Sequence, residues 1–205
     1  MNALTSTTSK PSVIAVLSCV SSQGLWILSD PQAQTLLGQV AWHDSESSEL
    51  SQGIIPAYQK LLVQAGVEAA QITELFVVTG PGAFTALRVS ASFILGLSCA
   101  LSVPARGIPT FELLGEAFQI PLQHQKQKLQ SILQVATEKQ EVLWIKEEAL
   151  ADIGVAQANC PARGFLESPL WPKPQELLNA TKRRLSAQTG IKVFYGLEPK
   201  ISGKR

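Results

Sequence analysis

Thr79-Gly80-Pro81-Gly82-Ala83-Phe84-Thr85 brings two glycines, a proline and two threonines into one short stretch. An apolar β-prone run at 75–78 precedes it, and 84–102, free of proline and nearly free of charge, follows it. A strand, a glycine turn and a helix in that order present backbone N–H groups and a positive helix end to whatever occupies the turn. Anions are the obvious occupants. The turn carries no Lys-Ser/Thr of a P-loop and no dinucleotide spacing, and glycines at a turn also serve simply to permit its backbone angles. Ser18 and Cys19 close a second apolar run, 13–17, at a place where nucleophiles occur, but nothing marks a base beside them. The 2 histidines, His43 and His124, stand far apart without metal-spaced neighbours, and no G-x-S-x-G elbow exists. No catalytic residue and no metal site are expected.

The elements that must position these residues follow from hydrophobic periodicity. Runs at 13–17 and 25–29 predict two strands joined by a Ser/Gly-rich hairpin, with a third strand near 39–42. The acidic stretch 44–49 reads as a loop. Ile54, Ile55, Tyr58, Leu61, Leu62 and Ala65 recur at three and four, which predicts an amphipathic helix closed by Gly66. The 84–102 helix is small or apolar on every side and must be covered all round, by its own lobe or in part by another chain. Arg88 is the one charge inside it and must reach the surface or find a partner. Val103-Pro104 to Pro109 stops that helix and suggests a lobe boundary near 108. Beyond it, a short helix at 110–118, a polar loop at 119–130, a hairpin from 132–136 and 141–146, an irregular 154–173 and a helix at 174–188 are expected.

Length and composition bound the possibilities. The 205 residues suit one large domain or two lobes, with 45% hydrophobic and only 16% charged residues. A net charge of +1 gives no overall field toward nucleic acid or membrane. The charge is uneven, with residues 161–205 holding nine Lys/Arg against three Asp/Glu. Cys19, Cys99 and Cys160 are an odd, widely spaced set without C-x-x-C, which fits thiols in a reducing cytoplasm. Residues 1–12 show no signal core, and the longest apolar stretch, 89–101, is broken by Ser and Gly and too short for a membrane span. A soluble cytoplasmic protein is expected.

Residues 79–90 resemble the G-P-G-S-F-T-G-L-R-I-G signature of the bacterial TsaB (YeaZ) family, whose members assist in making threonylcarbamoyladenosine on tRNA. Ser51 to Ala57 resembles that family's H-S-E-x-L-L-P helix start, and Gly107 to Leu114 its G-V-S-S-L-E-A-L segment. Glu138 to Trp144 is similar to R-R-G-E-V-Y-W, and Leu197-Glu198-Pro199 to the V-E-P near the family's C-terminus. The matches run in order over most of the chain. The departures are specific too. Ser18-Cys19-Val20-Ser21 stands where the family has D-T-S-T, Leu50 and Gln52 replace the His and Glu of H-S-E, and Ala86 and Ser90 replace two glycines. Without the aspartate, the group that would support Mg²⁺ is missing.

The resemblance implies an α/β, actin-like ATPase (ASKHA) fold of two lobes, each a mixed sheet with helices, at 1–108 and 109–205. It also implies a non-catalytic scaffold that binds and activates the catalytic subunit TsaD, with ATP and metal carried by that partner and none by this chain. The ATPase TsaE is reached through the complex, tRNA indirectly, and a homodimer is expected when the chain is alone. The seam would be lined by Ile54, Tyr58, Leu61, Phe84, Ala86, Leu87, Ser90 and Phe93, with close approach at Ala86 and Ser90. A degenerate nucleotide site would involve Ser18, Cys19, Gly80, Gly82 and Thr85. In the assembled complex Lys182, Arg183, Arg184, Lys192, Lys200, Lys204 and Arg205 are candidates for tRNA phosphates, a solvated helix face and tail being the alternative. The rival is an active ATP-dependent transferase, or a peptidase of the M22 type, on the same fold.

Overall fold

The computed structural model describes residues 11–20, 23–43, 50–80, 84–110, 112–113, 133–136, 142–145, 172–186, 190–191 and 193. Its centre is a five-stranded mixed sheet of β1 (Val13–Ser18), β2 (Gln23–Ser29), β3 (Leu36–His43), β4 (Ile72–Gly80) and β5 (Ala105–Pro109), in the order β3-β2-β1-β4-β5. β1–β2 and β2–β3 pair antiparallel, whereas β1–β4 and β4–β5 pair parallel. Every residue of β1 and β2 is buried, as expected of near-continuous apolar runs covered on both faces. The edge strand β3 alternates instead, with Leu37, Gln39 and Ala41 exposed.

Helices α1 (Ile54–Ala65) and α2 (Phe84–Leu101) connect β3 to β4 and β4 to β5. Both pack on one sheet face, through a core of Val13, Ala15, Leu17, Trp26, Leu28, Val40, Trp42, Leu75 and Val77 with Ile54, Ala57, Leu61, Ala86 and Ile94. The end of α1 is set by Gly66, at φ 63°, whose N–H returns to the last-turn carbonyls. Trp42 lies in a slot that only glycines permit. A Cβ on Gly24 would come within 2.0 Å of its ring, and one on Gly53 within 2.1 Å.

The opposite face is covered from far along the chain. Helix α3 (Pro174–Arg184) contacts β2, β3 and β5, and Leu177, Leu178, Ala180 and Thr181 are buried. Proline at its first turn and basic residues at its last fit both helix ends. Arg106 of β5 fixes its C-terminal end, donating from Nη1 to the Arg184 carbonyl at 3.0 Å and also to that of Leu185. The same guanidinium bonds Glu74 at 2.6 Å and lies over the Phe76 ring. Beside it, Arg184 pairs with the Glu112 carboxylate, and Arg183 donates to the Glu112 carbonyl. Gly190 and Ile191 continue round to the α2 side, where the Gly190 carbonyl approaches Gly107 and Ile191 packs on the core.

The strands expected at 13–17, 25–29, 39–42 and 75–78 are all present, each slightly longer. The helix from 54 to Gly66 and the helix from 84 also form, and the expected hairpin is the antiparallel pair β6 (Leu133–Ala136) and β7 (Val142–Ile145). β5 was not expected, since its sequence reads as a helix stop. Thr110, Glu112 and Leu113 are helical, as expected at the start of a helix at 110–118, and the rest of that helix and most of the 109–205 lobe lie outside the described residues. The described helix of that half, α3, sits on the first sheet.

Candidate functional site

The parallel register aligns the carboxyl ends of β1, β4 and β5. Leu17 is level with Val77, Val78 with Ile108, and Gly80 with Pro109, so Ser18, Gly80 and Thr110 share one end of the sheet. In open α/β sheets this is the end where ligands bind. Gly80 has φ 98°, a conformation natural to glycine, and it directs the chain toward α2. Ser18 and Thr110 are both 0% exposed, and among the described residues neither hydroxyl has a hydrogen-bond partner. Such a group forfeits about 1–3 kcal/mol relative to a satisfied one. Cys19 is buried on the other face, among the α1–α2 core, and Thr85 is exposed in the first turn of α2. Gly82 lies outside the described residues.

Among the described residues these strand ends thus bring together hydroxyls without a carboxylate, and no cluster of three His, Cys, Asp or Glu side chains could hold a metal ion.

The helix pair is the second candidate surface, and here the expected seam needs correction. Ile54, Tyr58, Leu61, Ala86, Leu87 and Ser90 are 1, 8, 0, 6, 0 and 0% exposed. They are buried within the chain's own fold, which leaves little of them to present to another chain. Phe93 is half-buried on the same core, and Phe84 opens the α2 backbone. The reason is visible in the ring contacts. Trp26 of β2 meets Tyr58 at 5.3 Å and Phe93 at 6.0 Å, Tyr58 meets Phe93 at 6.0 Å, and Trp26 Nε1 donates to the Ile54 carbonyl at 3.0 Å. The three aromatics lock both helices to the sheet with their inner faces consumed. Burial also pushes the Tyr58 phenol up, and among the described residues its hydroxyl has no hydrogen-bond partner.

The outward faces are different residues. Ile55 is 53% exposed, Val63 82%, Val89 37% and Leu95 49%, and Ser92, Gly96, Cys99 and Ala100 are exposed beside them. Ser92, Gly96 and Ala100 recur at four, forming a shallow line on which another helix can approach closely. Arg88 reaches the surface, as one of its two expected solutions requires. Sequence reasoning missed this outer set. Its signal was the complement of the buried period: positions roughly opposite Ala86, Leu87, Ser90 and Ile94 on an all-apolar helix.

Of the basic C-terminal candidates, Arg184 and Arg183 bond Glu112 and Lys182 is exposed, while Lys192, Lys200, Lys204 and Arg205 lie outside the described residues. Among the described residues no helix is long and apolar enough to cross a membrane.

A protein-family model described as TsaD: tRNA N6-adenosine threonylcarbamoyltransferase matches residues 44–186. The chain belongs to this family. Within it, the kinship to TsaB (YeaZ) read from the sequence holds. The TsaB tRNA threonylcarbamoyladenosine biosynthesis protein of Buchnera aphidicola (subsp. Acyrthosiphon pisum, strain APS) is 29% identical over 93 residues, 45% of this chain and 40% of that protein. The solved structure of YeaZ from Pseudomonas aeruginosa is 23% identical, with a TM-score of 0.46 over 52% of this chain and 47% of that one. A second Pseudomonas aeruginosa structure, described as similar to peptidase YeaZ, is 22% identical with a TM-score of 0.45 and the same coverage. The chain spans under half the length of these relatives.

Proposed function

We propose that this chain is a non-catalytic scaffold subunit in the synthesis of threonylcarbamoyladenosine on tRNA, which binds and activates a TsaD-type catalytic subunit through the outer faces of α1 and α2. The observation that carries this reading is the outer face itself. Two helices clamped to a sheet by a buried aromatic triangle leave Ile55, Val63, Val89 and Leu95 in solvent around a line of small residues. Large apolar side chains left in solvent beside small residues suit an interaction site. The name of the Buchnera relative supports the pathway.

In this reading ATP and metal belong to the catalytic partner, TsaE acts through the assembled complex, and tRNA is met indirectly. The chain works in the cytoplasm, pairs with itself when alone, and divides into lobes at 1–108 and 109–205. The rival, an active ATP-dependent transferase or M22-type peptidase, draws on the two unpartnered hydroxyls, Ser18 and Thr110, which a nucleotide phosphate would satisfy.

The test is reconstitution. The purified chain, the catalytic subunit from the same source, nucleotide and tRNA substrates are combined with and without one another. Modification that requires both chains, with none from this chain alone, is the expected result, and Leu95→Glu lowers both capture of the catalytic subunit and product. Robust turnover by the isolated chain that disappears in Ser18→Ala overturns the scaffold reading.

A further inference from the structure

We propose that α3 is a strap over the second face of the sheet, latched by Arg106, and that its opening admits solvent to the strand-end hydroxyl of Thr110 while the α1–α2 side stays closed. Alternation places that hydroxyl. In β1, Val13, Ala15, Leu17 and Cys19 belong to the α1–α2 core, so Ser18 lies on the other side. In β5, Ala105 packs on that same core whereas Arg106 meets α3, and Ile108 and Thr110 continue the Arg106 side. Thr110 is 0% exposed, and Glu112, two residues on, is bonded by Arg183 and Arg184 in the last turn of α3. The end of the helix thus lies beside the strand end that it closes.

The make-up of α3 suits an element that opens. The five strands of the sheet with α1 and α2 occupy 13–109, and α3 returns from 174, so its release breaks no strand pairing. At 11 residues it is too short to be a stable helix by itself, and it is helical because it is seated. The seat is lighter than that of the helices opposite. Its buried apolar side chains are Leu177, Leu178 and Ala180, with no aromatic among them, while α1 and α2 are locked by Trp26, Tyr58 and Phe93. Elements with fewer buried apolar contacts open at lower cost than the core. Arg106 holds the strap down from β5. Its Nη1 donates to the Arg184 and Leu185 carbonyls, groups that a helix end leaves without an internal partner. Its Nε is bound by Glu74 of β4 and its guanidinium lies over Phe76, so the sheet fixes the latch and the helix is the part that leaves.

The experiment labels thiols in the full chain and reads them peptide by peptide in a mass spectrometer. Thr110→Cys supplies a reporter under the strap, and the native Cys19, buried on the α1–α2 side, is the control. Arg106→Met, which keeps an aliphatic side chain without donors, is expected to speed labelling at position 110 about tenfold and to leave Cys19 unchanged. Hydrogen exchange of the wild type is the second measurement and needs no substitution: the amides of 177–184 should exchange faster than those of 75–78, and Arg106→Met should widen the gap. If Cys19 accelerates together with position 110, the sheet opens as a whole and the strap is overturned. If Arg106→Met leaves both thiols as slow as before, the latch is overturned. If 177–184 and 75–78 exchange at one rate in the wild type, α3 opens only with the core and the proposal falls, whether or not Thr110→Cys folds.

Discussion

Ser90→Glu decides which side of α2 is interior. Ser90 is 0% exposed, and its hydroxyl donates to the Leu87 carbonyl at 3.1 Å within the helix. Glutamate must bring a carboxylate and extra volume to a site with no free surface. Leaving a buried charge unpaired costs about 3–5 kcal/mol, and overpacking adds about 1–3. The sum, roughly 4–8 kcal/mol, stands against a total stability of about 5–15 kcal/mol for a domain. The variant should therefore unfold at much lower urea or fail to fold, as should Ala86→Arg at a residue 6% exposed. Leu95→Glu, at a residue 49% exposed, should stay within about 0.5 kcal/mol of wild type. Urea titration followed by far-ultraviolet circular dichroism reads all three. A Ser90→Glu midpoint equal to wild type, with Leu95→Glu strongly destabilised, would reverse the assigned orientation of α2 and sink the outer docking surface.

Three further outcomes test the framework around that helix. Gly24→Ala places a Cβ 2.0 Å from the Trp42 ring, which then has to retreat toward Gly53; the expected loss is about 1–3 kcal/mol, partly recovered in Gly24→Ala/Trp42→Leu, and additive losses in urea titration would count against the slot. Ser102, at φ 56° after α2, is left-handed without being glycine, so Ser102→Gly should raise stability by up to about 1 kcal/mol, and a lower unfolding midpoint would refute the strain. Burial lifts the Glu74 carboxyl above its ordinary range more strongly than Arg106 lowers it. The folded state therefore holds that proton more tightly, and the contribution of Glu74 falls as pH climbs from the ordinary carboxylate range through the raised value, then levels; Glu74→Gln should remove this slope from the stability profile, and an unchanged slope would place it elsewhere.

Most of the first sheet could be read from the sequence because its strands are apolar runs too short to be helices. The runs at 13–17, 25–29 and 75–78 needed no tertiary information, and Gly66 marked the end of α1 as a left-handed cap should. β5 was hidden for the opposite reason. Ala105-Arg106-Gly107-Ile108-Pro109 has an arginine and a glycine inside it and prolines at and before its ends, and it becomes a strand only by pairing with β4. Its arginine, which looks out of place in a buried strand, is there to bind Glu74 and the end of α3, 78 residues away. No local pattern carries a contact of that separation.

The misassigned seam has a related cause, and it bears on function. An amphipathic helix declares its buried face, but α2 is apolar or small all round, so periodicity gives no phase. The sheet supplies the phase by claiming Ala86, Leu87, Ser90, Ala91 and Ile94. Once that face is spent, whatever covers Val89, Leu95 and the Ser92-Gly96-Ala100 line must come from elsewhere. At the strand ends, serine stands where the resembling family keeps its aspartate, and among the described residues neither Ser18 nor Thr110 finds a hydrogen-bond partner. The described surface that remains open for binding lies instead on the helices, where apolar and small side chains face outward once the inner face of α2 is spent.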